Sequence, residues 1–117
     1  MDEEELKRRT KRFALQVMAL VGSLPNTQVG RAIGGQLVRS GTSVGANYRG
    51  ACRGRSKAEF AAKLGTVEEE ADESGYWMEL IIEGKLMKEE RVMSLFREAN
   101  EIAAIMAASR KTMARGR

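Results

Sequence analysis

At 117 residues, 43% hydrophobic and 31% charged with a net charge of +4, the chain suits one soluble globular domain and is too short for two cores. No apolar run approaches the roughly 18 residues needed to cross a bilayer, and Asp2, Glu3, Glu4 and Glu5 stand where a secretory signal carries positive charge, so the expected location is cytoplasmic, with no membrane partner. The absence of histidine excludes Ser-His-Asp and Cys-His catalysis, the usual zinc sites and the Glu-x-x-His di-iron sites of ferritin-like bundles.

The first helix is expected over residues 2 to about 22. Leu6, Phe13, Val17, Leu20 and Leu24 recur near a 3.5-residue spacing, flanked by Ala14, Met18 and Val21, and the acidic first turn suits the positive end of the helix dipole. Gly22, Ser23, Leu24 and Pro25 then break the chain. Asn26 or Thr27 can cap a second helix, about 27–52, with a seam of Val29, Ile33, Leu37, Ser40, Val44 and Ala51. Its glycines weaken it, so tertiary packing must recover the loss; Gly30/Gly34 and Gly41/Gly45, each four apart, line small residues along ridges that a neighbouring backbone can approach closely.

Ser56-Lys57-Ala58-Glu59 reads as a capping box opening a third helix, about 57–83, with Phe60, Leu64, Val67, Ala71, Ser74, Met78 and Ile81 on one stripe and Gly84 as its stop. A fourth, about 88–114, carries Val92, Leu95, Phe96, Ala99, Ile102, Ala103, Met106 and Met113, and ends in Arg110, Lys111, Arg115 and Arg117 at the negative dipole end. Four amphipathic helices with short connections predict a single all-α domain, an antiparallel up-down four-helix bundle.

Candidate sites must be weighed against structural readings. The glycine-rich stretch has neither the spacing nor the strand context of a phosphate-binding loop, and mid-helix amides are already bonded, so a phosphate cradle is not expected. Ser40, Thr42, Ser43 and Asn47 read first as side chains bonding to nearby carbonyls or a neighbouring helix. Glu68, Glu69, Glu70, Asp72 and Glu73 fan around a helix axis, so few point together; no metal and no cofactor is expected. Cys52, the single cysteine, reads as a packed hydrophobe.

The basic residues are the real question. From Leu6 to Lys57 there are eleven cations and no acid, whereas Ala58 onward holds nine basic and twelve acidic residues. Lys7, Arg8, Lys11 and Arg12 lie on the first helix, and Arg49, Arg53, Arg55 and Lys57 gather around the turn between the second and third. Left unpaired, they form a sequence-independent phosphate-binding surface; paired with the acidic cluster, they are structural. Charge counting leaves both arrangements open.

The blocks "RSGTSVGANYRGACRGRSKAEFAAKL" (39–64) and "EEADESGYWMELI" (69–81) resemble the bacterial four-helix-bundle family named after proteins encoded within intervening sequences of 23S rRNA genes. The matching positions include Arg39, Ser40, Thr42, Ser43, Asn47, Arg55, Ser56, Glu59, Glu70, Glu73, Tyr76 and Trp77. The sequence departs from the family pattern at Gly50, where a glutamate is usual, and at Gly75, where a large apolar residue is common.

The resemblance implies a ring-like homopentamer without established enzymatic activity, similar in fold to the accessory proteins of diversity-generating retroelements, which are basic pentamers binding nucleic acid and a reverse transcriptase. On this reading Arg39, Gly41, Ser43, Gly45, Asn47, Glu70 and Glu73 serve helix or subunit contacts, with Arg39 and Asn47 bonding to acids such as Glu70 or Glu73. Arg8, Arg12, Arg49, Arg53, Arg55 and Lys57 are the candidate nucleic-acid contacts. The alternative is a protein-partner adaptor or structural subunit, for example for a reverse transcriptase, with its charges paired internally.

Overall fold

A computed structural model of the chain describes residues 1–115, in which four helices follow one another: α1 (Glu3–Gly22), α2 (Gln28–Cys52), α3 (Lys57–Glu83) and α4 (Glu89–Arg115). Arg117, expected at the end of the last helix, lies outside the described residues. The helices start where side chains can satisfy amides that a first turn leaves unpaired. At α1 the Glu5 N–H donates to Asp2 Oδ1 at 2.8 Å and the Asp2 N–H donates to Glu5 Oε1 at 3.0 Å, a complete capping box. Thr27 Oγ1 accepts the Gly30 N–H at 3.0 Å to cap α2.

Ser56 caps α3, its Oγ accepting the Glu59 N–H at 3.1 Å, but the return bond of the expected box is displaced by one residue. Glu59 Oε1 accepts the Arg55 N–H at 2.6 Å instead of that of Ser56. The stop of α3 also differs in detail. Gly84 is right-handed, and the left-handed residue is Lys85 with φ 59°. The Leu86 N–H then reaches Ile81 O at 2.9 Å and the Lys85 N–H reaches Ile82 O at 3.1 Å, which satisfies the last carbonyls of the helix. Glycine at 84 is required by space, since a Cβ there would sit 2.7 Å from Leu80 O.

Sequential helices pack side by side as α1–α2, α2–α3 and α3–α4, α1 and α4 touch only sparsely, and the diagonal pairs do not meet. The result is an antiparallel up-down four-helix bundle measuring 49 × 20 × 19 Å. Phe13, Val17, Leu37, Val44, Leu64, Val67, Met78, Ile81, Ile102 and Met106 are fully buried along its axis. Each such side chain contributes about 1.5–3 kcal/mol of burial.

The seam of α2 follows the expected one from Leu37 to Ala51 and departs from it at the first turn. Val29 is 57% exposed, while Gly30, Gly34, Leu37, Ser40, Gly41, Val44, Tyr48 and Ala51 are buried. The cause is Gly30, where a Cβ would come within 2.1 Å of Pro25 O, so glycine faces the turn and Val29 faces solvent. On α1, Met18 is exposed and Thr10 is fully buried, its hydroxyl donating to Leu6 O at 2.8 Å. Gly41 and Gly45 both face α1, against Val17 and Thr10 respectively, so their close packing is within the chain.

Candidate functional site

The helix geometry decides which charges neutralise one another. Side chains advance by about 100° per residue, so the acids of α3 separate onto different faces. Glu70 and Glu73 turn to α2, where Arg39 Nη1 donates to Glu70 at 3.4 Å and Arg39 Nη2 donates to Glu73. Trp77 Nε1 also donates to Glu73 at 3.0 Å, and that bond, followed by Arg39, holds the Glu73 carboxyl below the usual carboxylate range. Glu68 turns the other way, to Arg110 of α4, whose stem crosses Gly65. Glu69 and Asp72 are exposed.

Arg39, Glu70 and Glu73 therefore meet as expected, but Asn47 does not join them. Its Nδ2 donates to Ser43 O at 2.9 Å, one turn back on its own helix, a local bond open to any helical asparagine. Ser43 Oγ likewise donates to Arg39 O at 2.7 Å. Ser40 Oγ and Ser74 Oγ form a buried cross-helix pair at 2.9 Å.

An unforeseen ion cluster closes the sparse α1–α4 seam. Arg9 Nε donates to Glu98 at 2.7 Å, its Nη2 donates to Glu98 at 2.8 Å, and Nη2 also reaches Glu101. A signal for it existed: Arg9 is one residue from Arg8, which on a helix turns it toward a different neighbour.

The remaining cations stay outward. Arg8, Arg12, Arg49, Arg53, Arg55 and Lys57 are all exposed, and none makes an ion pair among the described residues. They fall into separate places. Arg8, Arg49 and Arg53 join Lys7, Lys11 and one acid, Glu4, in lining an open cleft of about 300 Å³ between the start of α1 and the end of α2. Lys7 is held by Glu3 at 3.1 Å and Glu4 at 3.7 Å. Arg55 and Lys57 border a neighbouring recess with Glu3, Cys52, Phe60 and Met113. Arg12 lies on the other flank of α1, in a groove of about 900 Å³ shared with Gln16, Arg91 and Ser94 of α1 and α4. Tyr48 is 3% exposed, and burial raises the pKa of its phenol well above the usual range. Burial also pushes the Cys52 thiol up, which disfavours the reactive thiolate.

A family model described as 23S rRNA-intervening sequence protein matches residues 3–108. The chain belongs to that family. A crystal structure of a protein with unknown function from the S23 ribosomal protein family, from Bacteroides thetaiotaomicron, superposes with a TM-score of 0.88 at 34% identity, over 96% of this chain and all of that one. No curated protein matches the chain. Neither matching description names a catalysed reaction.

Gly50 of α2 and Gly75 of α3 face different neighbours. A Cβ at Gly50 would lie 3.7 Å from Lys63 Nζ, so a glutamate there would meet that lysine; with glycine, Lys63 joins the unpaired cations. A Cβ at Gly75 would lie 3.4 Å from Asn100 Oδ1 and 3.8 Å from Phe96, leaving little room for a large side chain.

Proposed function

We propose that the protein is a non-catalytic, cytoplasmic, oligomeric binding protein that holds nucleic acid through phosphate contacts made by Arg8, Arg12, Arg49, Arg53, Arg55 and Lys57. The observation that carries this reading is the convergence of Arg8, Lys11, Arg49 and Arg53 on one open cleft with no ion pair to any described acid. Exposed cations in a concave place attract polyanions through counterion release and impose no sequence preference. Self-association, as a pentamer on the family resemblance, repeats the cleft around a ring and turns a weak contact into avidity wherever a polyanion spans two subunits.

The test is retention of a labelled nucleic acid at about 50 mM salt by the wild-type chain and by the Arg49→Gln/Arg53→Gln/Arg55→Gln variant. The wild type is expected to bind, and the variant to bind much more weakly with an unchanged helical spectrum. Equal binding by the two would move the site elsewhere.

A second reading has its own support. Leu15 and Met18 are 56% and 52% exposed on α1, and the adjoining α1–α4 groove has a partly apolar lining of Ala19, Leu20 and Leu95. Such a surface suits a protein partner, which under this reading is another subunit or a reverse transcriptase.

A further inference from the structure

The chemistry of the α1–α2 cleft goes further than a general affinity for nucleic acid, and its consequence rests on the reading just given. Arg49 in the last turn of α2 and Arg53, the residue that caps its end, are four apart, and on α1 Lys7 and Lys11 share the same spacing beside Arg8. Four residues of helix rise about 6 Å, so the two antiparallel helices present short parallel rows of cations facing one cleft. Lys7 is occupied by Glu3 and Glu4, which leaves Arg8, Lys11, Arg49 and Arg53 for an external anion.

What the cleft lacks is a surface on which a base can stack. Among the described residues no aromatic lines it. Phe13 and Tyr48 are buried, Trp77 and Phe96 are half-buried in the packing of the bundle, Phe60 lines the neighbouring recess with Arg55 and Lys57 and not this cleft, and the exposed Tyr76 belongs to α3, which does not touch α1. Proteins that favour single strands draw about 1–3 kcal/mol from each stacked base. That contribution has no place here, and charge alone is left to choose between ligands. A duplex carries twice the phosphate density of one strand along its axis and releases more counterions for each contact.

We infer that the cleft formed by Arg8, Lys11, Arg49 and Arg53 takes the phosphodiester backbone of double-stranded nucleic acid in preference to single strands. The salt slopes of the two classes differ by about 0.2 for each phosphate neutralised, so four contacts separate them by about sixfold for each decade of salt. The contacts are to phosphate, so duplex DNA and duplex RNA share the required chemistry.

The test is fluorescence anisotropy of the full chain with four labelled probes of one sequence, each about one helical turn or ~10 nucleotides long: duplex DNA, duplex RNA and the two single strands. At about 100 mM salt one or both duplexes are expected to bind more tightly than their own strands, by a margin that grows about sixfold for each tenfold fall in salt, the two duplex arms telling which backbone is preferred. Arg49→Gln/Arg53→Gln, which leaves two of the four contacts, should cut that salt-dependent difference to about 2.5-fold per decade, and Arg49→Lys/Arg53→Lys should preserve it. Single strands bound equally or more tightly would overturn this inference while leaving the nucleic-acid reading intact. A chain that holds none of the four probes even at low salt would overturn both.

Discussion

Gly41 of α2 stands so close to Val17 of α1 that a Cβ at position 41 would lie 2.8 Å from Val17 Cγ1 and 2.9 Å from Cγ2. Valine is stiff at χ1 and fully buried here, so it cannot step aside without disturbing the core. Gly41→Leu is expected to destabilise the bundle by about 1–3 kcal/mol in urea unfolding. Gly35, on the same helix, has nothing within 4 Å of its missing Cβ. Gly35→Ala should therefore stabilise by up to about 1 kcal/mol through helix propensity alone. The same sign for both substitutions would contradict the packing assigned to α2.

That contact shows how far the sequence could be read. The four-residue spacing of Gly41 and Gly45 announced a close helix approach, and Phe13, Val17, Leu37, Leu64, Val67, Met78 and Ile102 announced the core, because a 3.6-residue period leaves few arrangements other than a bundle. Val29 misled because hydropathy is silent about a steric demand next door at Gly30. Tyr48 and Thr10 went unnoticed as buried residues because each carries a polar group whose burial depends on local geometry.

The charges were legible in number but not in partner. Counting set eleven cations against a distant acidic cluster, and Arg39 was set beside Glu70 and Glu73 on the family resemblance; the structure shows the faces that carry them opposed across α2 and α3. Arg9 with Glu98 and Glu101, and Arg110 with Glu68, join helices far apart in the chain, and their pairing depends on the rotation of each helix.

Ser40 and Ser74 offer a test of buried polar pairing. Their hydroxyls lie 2.9 Å apart, and each is also within reach of a carbonyl one turn earlier, Leu37 O and Glu70 O. Replacing either serine by alanine is expected to cost about 1 kcal/mol, whereas Ser40→Ala/Ser74→Ala should cost less than the two single changes together. Strict additivity in a double-mutant cycle would mean that the two hydroxyls do not depend on each other.

Glu73 predicts a pH dependence. Trp77 and then Arg39 hold its carboxyl below the ordinary value of 4.5, so the folded chain binds this proton less readily than the unfolded chain. The stabilisation is present above 4.5 and disappears as pH falls through the lower, folded-state value. Trp77→Phe removes the larger cause. Urea midpoints measured down the acid limb should fall less steeply for the variant than for wild type, and coincident acid limbs would remove Glu73 from the account.

Gly50 tests the basic end from the opposite direction. Its absent Cβ faces Lys63 Nζ at 3.7 Å, so Gly50→Glu should introduce a carboxylate among the cations of that end and pair with Lys63. Nucleic-acid affinity is expected to fall, while Gly50→Ala, which adds no charge, should leave it unchanged. A loss of affinity in both variants would point to a steric effect.

The account turns on whether the cations at the α1–α2 cleft are open to an external polyanion, and the salt dependence of nucleic-acid binding by the wild-type chain measures this most directly. With Arg8, Lys11, Arg49 and Arg53 free, log K should fall linearly with log salt between about 50 and 200 mM, with a slope near 3 to 4 per cleft on a duplex. A slope near zero, or no binding at the lowest salt, would show that these side chains neutralise no phosphates.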